Sequence, residues 1–244
     1  MKVQVLGCGD AFGSGGRFNT CFHVSAFATN FLIDCGASAL IAMRRFGVEP
    51  NEIETVFLSH LHGDHFGGLP FLILDAQHVS RRTTPLTIAG PPGLRERLPA
   101  LMEAMFPGSS AVEMRFTLNI VELDQEKATS VNGVTVTPFP VRHPSGAPSY
   151  ALRLKCENKT ICYTGDTEWV EALVAAGREA DLLITEAYSP ERNVPYHMHW
   201  PTLRSRLPEI AAKRVLLTHL SAAMLSQPLD GYEVAEDGLL VSLQ

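Results

Sequence analysis

Three histidines and an aspartate fall within six positions of the stretch SHLHGDH: His60, His62, Asp64 and His65. Imidazole and carboxylate are the groups that bind a borderline-soft divalent cation, and a site that keeps a position open polarises a water. The preceding segment PNEIETVFLSH reads as a turn and then an apolar strand that ends at His60. His60 and His62 are two apart, so at a strand end they point to one side. Gly63 is expected to turn the backbone so that Asp64 and His65 face a second cation. Four ligands do not close two coordination spheres. Further ligands are therefore expected at His143 in FPVRHPSG, Asp166 in ICYTGDT and His219 in VLLTHLS, each where an apolar strand gives way to a small or polar loop.

The elements that must position these residues come in two styles. The first 36 residues read as short strands joined by loops rich in Gly and Asn. GCGDAFGSGG holds only a loose G-x-G with another strand after it, so it is not read as a nucleotide-cofactor cradle. ASALIAMRRFGV and FGGLPFLILDAQHV have helical periodicity, and PLTIAGPPGLRERLPALMEAMFPG reads as strand, turn and amphipathic helix. MRFTLNIVELD and VNGVTVTPFPVRH alternate as strands, with Asn132-Gly133 as a hairpin turn. SYALRLKCENKTICYTGDT is a second hairpin, across which Cys156 and Cys162 are placed to face each other. The helix EWVEALVAAGREA, the strand DLLITEAY, a helix through TLRSRLPEIAA and the strand RVLLTHLS follow. Hairpins first and alternation later predict two sheets with helices outside, not a doubly wound parallel sheet. No internal repeat and no dividing linker is evident, so one domain over residues 1–244 is expected.

Composition narrows the partners. The chain has 244 residues, 45% of them apolar, and a net charge of −6, which offers no general footprint for nucleic acid or anionic lipid. No apolar run approaches the roughly 18 residues of a membrane span. Five scattered cysteines with no CxxC pair suit a reducing cytoplasm without disulfides. His23 and His78 are read as structural or exposed.

HxHxDH followed by a His, an Asp and a His in that order resembles the signature of the metallo-β-lactamase superfamily, and the resemblance runs over nearly the whole chain. It implies an α/β (α+β) fold, a four-layer αβ/βα sandwich with two metals at the shared edge of the sheets. His60, His62 and His143 would hold one metal, and Asp64, His65 and His219 the other, with Asp166 bridging. Asp34, in FLIDCG, matches the early aspartate that supports the site from behind the ligands. Zinc is the first expectation for both cations, with manganese or iron served by the same ligands.

The segments RHPSGAPSYALRL, GPPGL, YTGDT, LLITEAY and RVLLTHLS resemble the ribonuclease Z group of that superfamily. That group carries an additional histidine before its last ligand, ordinarily in an H-S-T motif. YHMHWPTL offers His197 and His199, and the spacing to His219 fits His197 better. Hydrolysis expels an alkoxide, which a protonated imidazole can neutralise, and Glu186 could raise that imidazole's pKa. The expected enzyme is a dinuclear-metal phosphodiesterase using a metal-activated water. Asp64 would accept the nucleophile's proton and His197 would protonate the leaving group.

Enzymes of the group that process tRNA precursors present a glycine-rich basic arm. The corresponding MFPGSSAVEMRFTLNIVELDQEKATS is short and of mixed charge. Structured RNA is thus disfavoured, and a small phosphodiester such as a cyclic nucleotide is the expected substrate. The rival readings are an ester, lactone or sulfate-ester hydrolase, a tRNA 3′ processing endonuclease, and a non-catalytic protein binding metal and metabolite in a cofactor pathway. The resemblance is compatible with a homodimer.

Overall fold

The computed structural model describes residues 1–244. The first half runs β1 (Lys2–Gly7), β2 (Cys21–Ser25), β3 (Asn30–Ile33), α1 (Ala39–Arg45), β4 (Thr55–Phe57), α2 (Gly63–Phe66), α3 (Leu69–His78), β5 (Leu86–Gly90), α4 (Leu94–Met105) and β6 (Leu118–Glu122). The second runs β7 (Thr129–Val131), β8 (Val134–Pro140), β9 (Tyr150–Cys156), β10 (Lys159–Tyr163), α5 (Ala172–Gly177), β11 (Leu182–Glu186), α6 (Trp200–Ile210), β12 (Val215–Thr218), α7 (Ala222–Leu225), β13 (Glu233–Val234) and β14 (Leu240–Ser242). No helix is long and apolar enough to cross a membrane.

These strands form two seven-stranded sheets, ordered β14-β1-β2-β3-β4-β5-β6 and β7-β8-β9-β10-β11-β12-β13. Read in those directions, each sheet has three antiparallel pairings and then three parallel ones. The two halves therefore repeat one topology although no repeat is evident in the residues. The inner faces meet in a core that includes Phe22, Phe31, Phe57, Leu152, Tyr163 and Ile184. A second core lies under α1, α3 and α4, and a third under α5 and α6, which gives the expected four-layer αβ/βα sandwich. The central parallel strands β4, β5 and β11 are buried on both faces and are mostly apolar, whereas the parallel edge strands β6 and β13 remain partly exposed.

Several local expectations need correction. β4 ends at Phe57, three residues before His60, and β8 and β10 likewise end three residues before His143 and Asp166. The ligand candidates sit on loops beyond the strands. Gly63 is not a turn residue: His62 is the N-cap of α2, Gly63 begins it, and Asp64 and His65 lie in its single turn. α5 covers only Ala172–Gly177, half of the segment with helical periodicity. Cys156 pairs with Lys159 and Cys162 with Arg153, so the two thiols do not face each other. Their side chains enter different cores, and all five cysteines are buried and free. The Asn132-Gly133 hairpin is as expected, with both residues at positive φ (44° and 80°), the condition for a type I′ turn.

Candidate metal centre

The parallel strands of both sheets point their C-terminal ends to one edge, where neighbouring connections diverge and leave a crevice. Asp34 follows β3, His60 and His62 follow β4, Asp166 follows β10, Glu186 ends β11, and His219 follows β12. His143 reaches the same edge from the loop after β8. Two of these residues, Asp34 (φ 56°) and His219 (φ 55°), adopt the left-handed backbone conformation, uncommon for residues with a side chain. At both places the chain leaves a strand abruptly, which turns His219 into the crevice and sets Asp34 behind His65.

Two groups of side chains converge there. The ligand atoms of His60, His62 and His143 lie within 4.8 Å of one another, as do those of Asp64, His65, Asp166 and His219. Asp166 sits between the groups: Oδ1 is 3.3 Å from His65 Nε2, while Oδ2 is 3.4 Å from His219 Nε2 and 3.9 Å from His143 Nε2. Four buried atoms of the crevice, His60 Nε2, His65 Nε2, Asp166 Oδ1 and His219 Nδ1, have no hydrogen-bond partner. Buried polar atoms without partners are costly; those of His60, His65 and Asp166 belong to the two ligand groups and fit a pair of divalent cations, whereas His219 Nδ1 faces Glu186 Oε1 at 3.4 Å.

Tautomers are set from behind. His65 Nδ1 is 2.7 Å from Asp34 Oδ2, and the Ser59 hydroxyl donates to the same oxygen at 2.8 Å. Ser59 Oγ therefore accepts from His60 Nδ1, 3.0 Å away. One fully buried aspartate thus fixes two imidazoles, one directly and one through a serine, so that each turns Nε2 inward. His143 Nδ1 donates to the Tyr196 carbonyl at 2.9 Å, and its Nε2 comes within 2.9 Å of His62 Nδ1. Burial pushes the pKa of His60 and His62 down, which keeps them neutral as ligands must be. Burial also opposes charge on His65 and His219, but the Asp166 and Asp64 carboxylates outweigh it, raising His65 well above its ordinary value and His219 to about 10. A cation on those nitrogens would displace the protons.

Beside this double cluster, His197 Nδ1 is 2.6 Å from Glu186 Oε1. Glu186 is fully buried, and its other oxygen accepts from Thr167 N at 3.0 Å and Met198 N at 3.1 Å, so the carboxylate is held on both sides. Burial works against a charged His197, yet the hydrogen bond to Glu186 wins and raises its pKa. Tyr188 stacks on the His197 ring with centroids 4.5 Å apart. His199, the other candidate, precedes α6, and its ring meets Thr202 Oγ1 and the Glu191 carbonyl instead. His197, Tyr188 and the ligand candidates His62, Asp64, His143, Asp166 and His219 line a cavity of about 310 Å³, with His60 and His65 fully buried behind its wall; His199 does not reach it.

Close approach of backbone assembles the crevice. A Cβ on Gly36 would lie 2.3 Å from the Asp64 carbonyl oxygen, and one on Gly68 would lie 2.2 Å from the Gly36 carbonyl oxygen. The glycines of DCG and FGG therefore let the β3 loop and α2 come together, carrying Asp34 to His65. Ser59, Tyr188 and the loop residues Asp10 and Phe12 of this site were not singled out in the sequence. Ser59 had a signal, its place directly before His60, whereas the others are recognisable only once the cavity is seen.

A family model described as "Anti-Pycsar protein Apyc1" matches residues 1–235. Ribonuclease Z of Agathobacter rectalis is 32% identical over 156 residues, 64% of this chain and 49% of that relative. The chain spans about half the length of the first curated relatives it matches. The crystal structure of human tRNase Z, short form, superposes with a TM-score of 0.81 at 27% identity, covering 100% of each chain. The metallo-β-lactamase fold protein YhfI from Bacillus subtilis superposes at 0.79 over 98% of each chain and, at 22% identity, speaks for the fold alone. The sandwich is thus a metallo-β-lactamase fold, of the ribonuclease Z-like and phosphodiesterase branch.

Proposed function

The chain belongs to the family of the anti-Pycsar protein Apyc1, and from that premise we propose that it is a dinuclear-metal phosphodiesterase that hydrolyses a small phosphodiester, such as a cyclic nucleotide. The observation that carries the reading is the Glu186–His197 pair, 2.6 Å apart, whose imidazole lies on the wall of a cavity lined by members of both ligand clusters. It joins a proton source for an expelled alkoxide to a site for two cations.

His60, His62 and His143 would hold one cation and Asp64, His65 and His219 the other, with Asp166 between. Bound there, divalent cations lower the pKa of water and stabilise charge building on the phosphoryl oxygens. Zinc is the first choice for this donor set. The side chains do the rest. Asp64 takes the proton of the attacking water as the new P–O bond forms. Glu186 keeps His197 protonated, and Tyr188 holds the ring in its plane, so that His197 Nε2 gives its proton to the leaving oxygen as the old P–O bond breaks. A phosphomonoester and an alcohol are the products. For a cyclic nucleotide both are parts of one nucleoside monophosphate.

Size and charge support a small substrate over structured RNA. The cavity volume of about 310 Å³ suits a nucleotide-sized ligand. Residues 106–117 hold only a short turn, Ser109–Ala111, whose Ser109 hydroxyl bonds back to the Met102 carbonyl of α4 at 3.0 Å. This segment lies against the helix and carries no basic arm. Five free thiols support a cytoplasmic setting. The reading treats residues 1–244 as one working domain. The names ribonuclease Z and tRNase Z among the relatives favour a second reading, cleavage of tRNA precursors.

The test uses leaving groups. His197→Ala should lower kcat for diesters that expel an alkoxide by about 10²- to 10⁴-fold, the usual worth of a general acid, and cost far less for diesters that expel p-nitrophenolate, which needs no proton. Equal losses on both kinds remove the acid role of His197. A wild-type protein that processes a tRNA precursor in preference to any small diester favours the second reading.

A further inference from the structure

The glycine-rich stretch GCGDAFGSGG forms one wall of the cavity and is not used by the mechanism above. It is a tied loop. The Asp10 carboxylate, 2% exposed, accepts from Phe12 N at 3.2 Å, Ser14 N at 2.9 Å and the Ser14 hydroxyl at 2.7 Å. Gly13 N donates to the Asp10 carbonyl at 3.1 Å, and Gly13 takes φ 66°, so the chain reverses sharply just after Phe12. Behind the loop, Gly9 N donates to the Phe18 carbonyl at 2.7 Å and Arg17 reaches the Ala235 carbonyl at 3.0 Å.

This fixed loop presents Phe12 with 86% of its surface in water, at the mouth of the cavity. Single exposed apolar side chains are ordinary on a protein surface, and Phe12 is set apart by its place on the cavity wall, which Phe27, Ile41, Val79, Met105, Tyr196 and Leu240 do not share. The apolar part of the cavity wall is Ala11, Phe12 and Tyr188, and the remainder is histidine, carboxylate and glycine. Tyr188 already has its face against His197, which leaves the Phe12 ring as the aromatic face free for a ligand. Phe27, 101% exposed, differs in each respect: it lies in the β2–β3 turn, at the opposite end of the sheet from the crevice.

We infer that the Phe12 ring is the platform on which the planar base of a nucleotide diester stacks while its phosphate occupies the metal centre. This rests on the phosphodiesterase reading and deepens it, because it makes a nucleobase, rather than any diester, the group that the protein selects. A ring face stacks on every base, so the platform favours nucleotides as a class without choosing among them.

The test compares a 3′,5′-cyclic nucleotide with methyl riboside 3′,5′-cyclic phosphate, which has the same diester and no base. Wild type should prefer the nucleotide in kcat/KM. Phe12→Ala should reduce that preference by roughly 5- to 140-fold, the range for loss of one base–aromatic stack. Phe12→Trp should restore it, and Phe27→Ala should leave it unchanged. Calorimetric binding of the product nucleoside monophosphate to chelator-treated protein should weaken in parallel in Phe12→Ala, a readout independent of turnover. Metal content and melting temperature of each variant show whether it is folded. If wild type, with metal bound, cleaves neither probe nor bis(p-nitrophenyl) phosphate, the phosphodiesterase reading falls and takes this inference with it. If wild type cleaves diesters but shows no preference for the nucleotide, or Phe12→Ala keeps that preference, this inference alone is overturned. A Phe12→Ala protein that changes its oligomeric state and loses both probes equally assigns the ring to a subunit contact and also overturns it.

Discussion

Replacing Asp34 by Asn changes one atom and should unmake half of the metal centre. Asp34 Oδ1 accepts from Ser59 N at 2.8 Å, while Oδ2 accepts from the Ser59 hydroxyl at 2.8 Å and from His65 Nδ1 at 2.7 Å. Asn tolerates the left-handed backbone that Asp34 adopts (φ 56°), so the loop can keep its path. The amide must then choose. With its oxygen toward Ser59 N, its NH2 faces the serine hydroxyl and His65 Nδ1, which forces both to accept. His65 then carries its proton on Nε2, the atom that should meet the cation, and Ser59 no longer fixes His60 in the tautomer that turns a lone pair inward. With the amide reversed, two N–H donors confront each other in a fully buried site. That leaves one buried donor unsatisfied, worth about 1–3 kcal/mol of stability. Loss of such a support behind a metal ligand commonly costs about 10- to 100-fold in metal affinity. Asp34→Asn should therefore fold, melt somewhat lower and bind the second cation about 10- to 100-fold more weakly, read by calorimetric metal titration alongside circular dichroism. Two cations bound with unchanged affinity would refute the coupling through Asp34.

Other perturbations test other parts of the account. Glu186→Gln removes the charge that holds the His197 pKa up; with the protonated imidazole proposed as the active form, the alkaline limb of the rate profile for an alkyl diester should move to lower pH, and an unmoved limb would dissociate Glu186 from the acid. Gly36→Ala would press a methyl group onto the Asp64 carbonyl, 2.3 Å away, and should cost about 1–3 kcal/mol by overpacking, measured by denaturant unfolding. Removing metal with a chelator should lower the melting temperature, because a cation at 100 times its Kd contributes about 2.7 kcal/mol. For a chain of this size that is on the order of 5–10 °C per site. A melting curve indifferent to chelation would contradict a structural contribution from the cations.

The candidate ligands were legible because their chemistry is rare in sequence: His60, His62, Asp64 and His65 crowd one loop, and His143, Asp166 and His219 each follow an apolar run. Why they converge was less legible. The alternation of two was read as a strand end at His60, but β4 stops at Phe57 and the loop after it does the positioning. The short strands β13 and β14 are invisible to periodicity, since two or three residues carry no pattern, and they exist because the edges of β12 and β1 offer partners. The shared topology of the two sheets depends on pairing direction, which residue types do not record. The same holds for Ser59 and Asp34, whose roles depend on contacts across 25 and 31 positions of chain. Phe12 looked like one more apolar residue in a glycine loop until its exposure and its place on the cavity wall were known.

The central claim is tested most directly by hydrolysis of bis(p-nitrophenyl) phosphate beside an aryl ester and an aryl sulfate, with metal content determined on the same preparation. The account predicts two divalent cations per chain and a marked preference for the diester that vanishes on chelation and returns with added metal. Two cations bound with no cleavage of the diester would contradict the phosphodiesterase and leave an ester hydrolase or a metabolite-binding protein in its place.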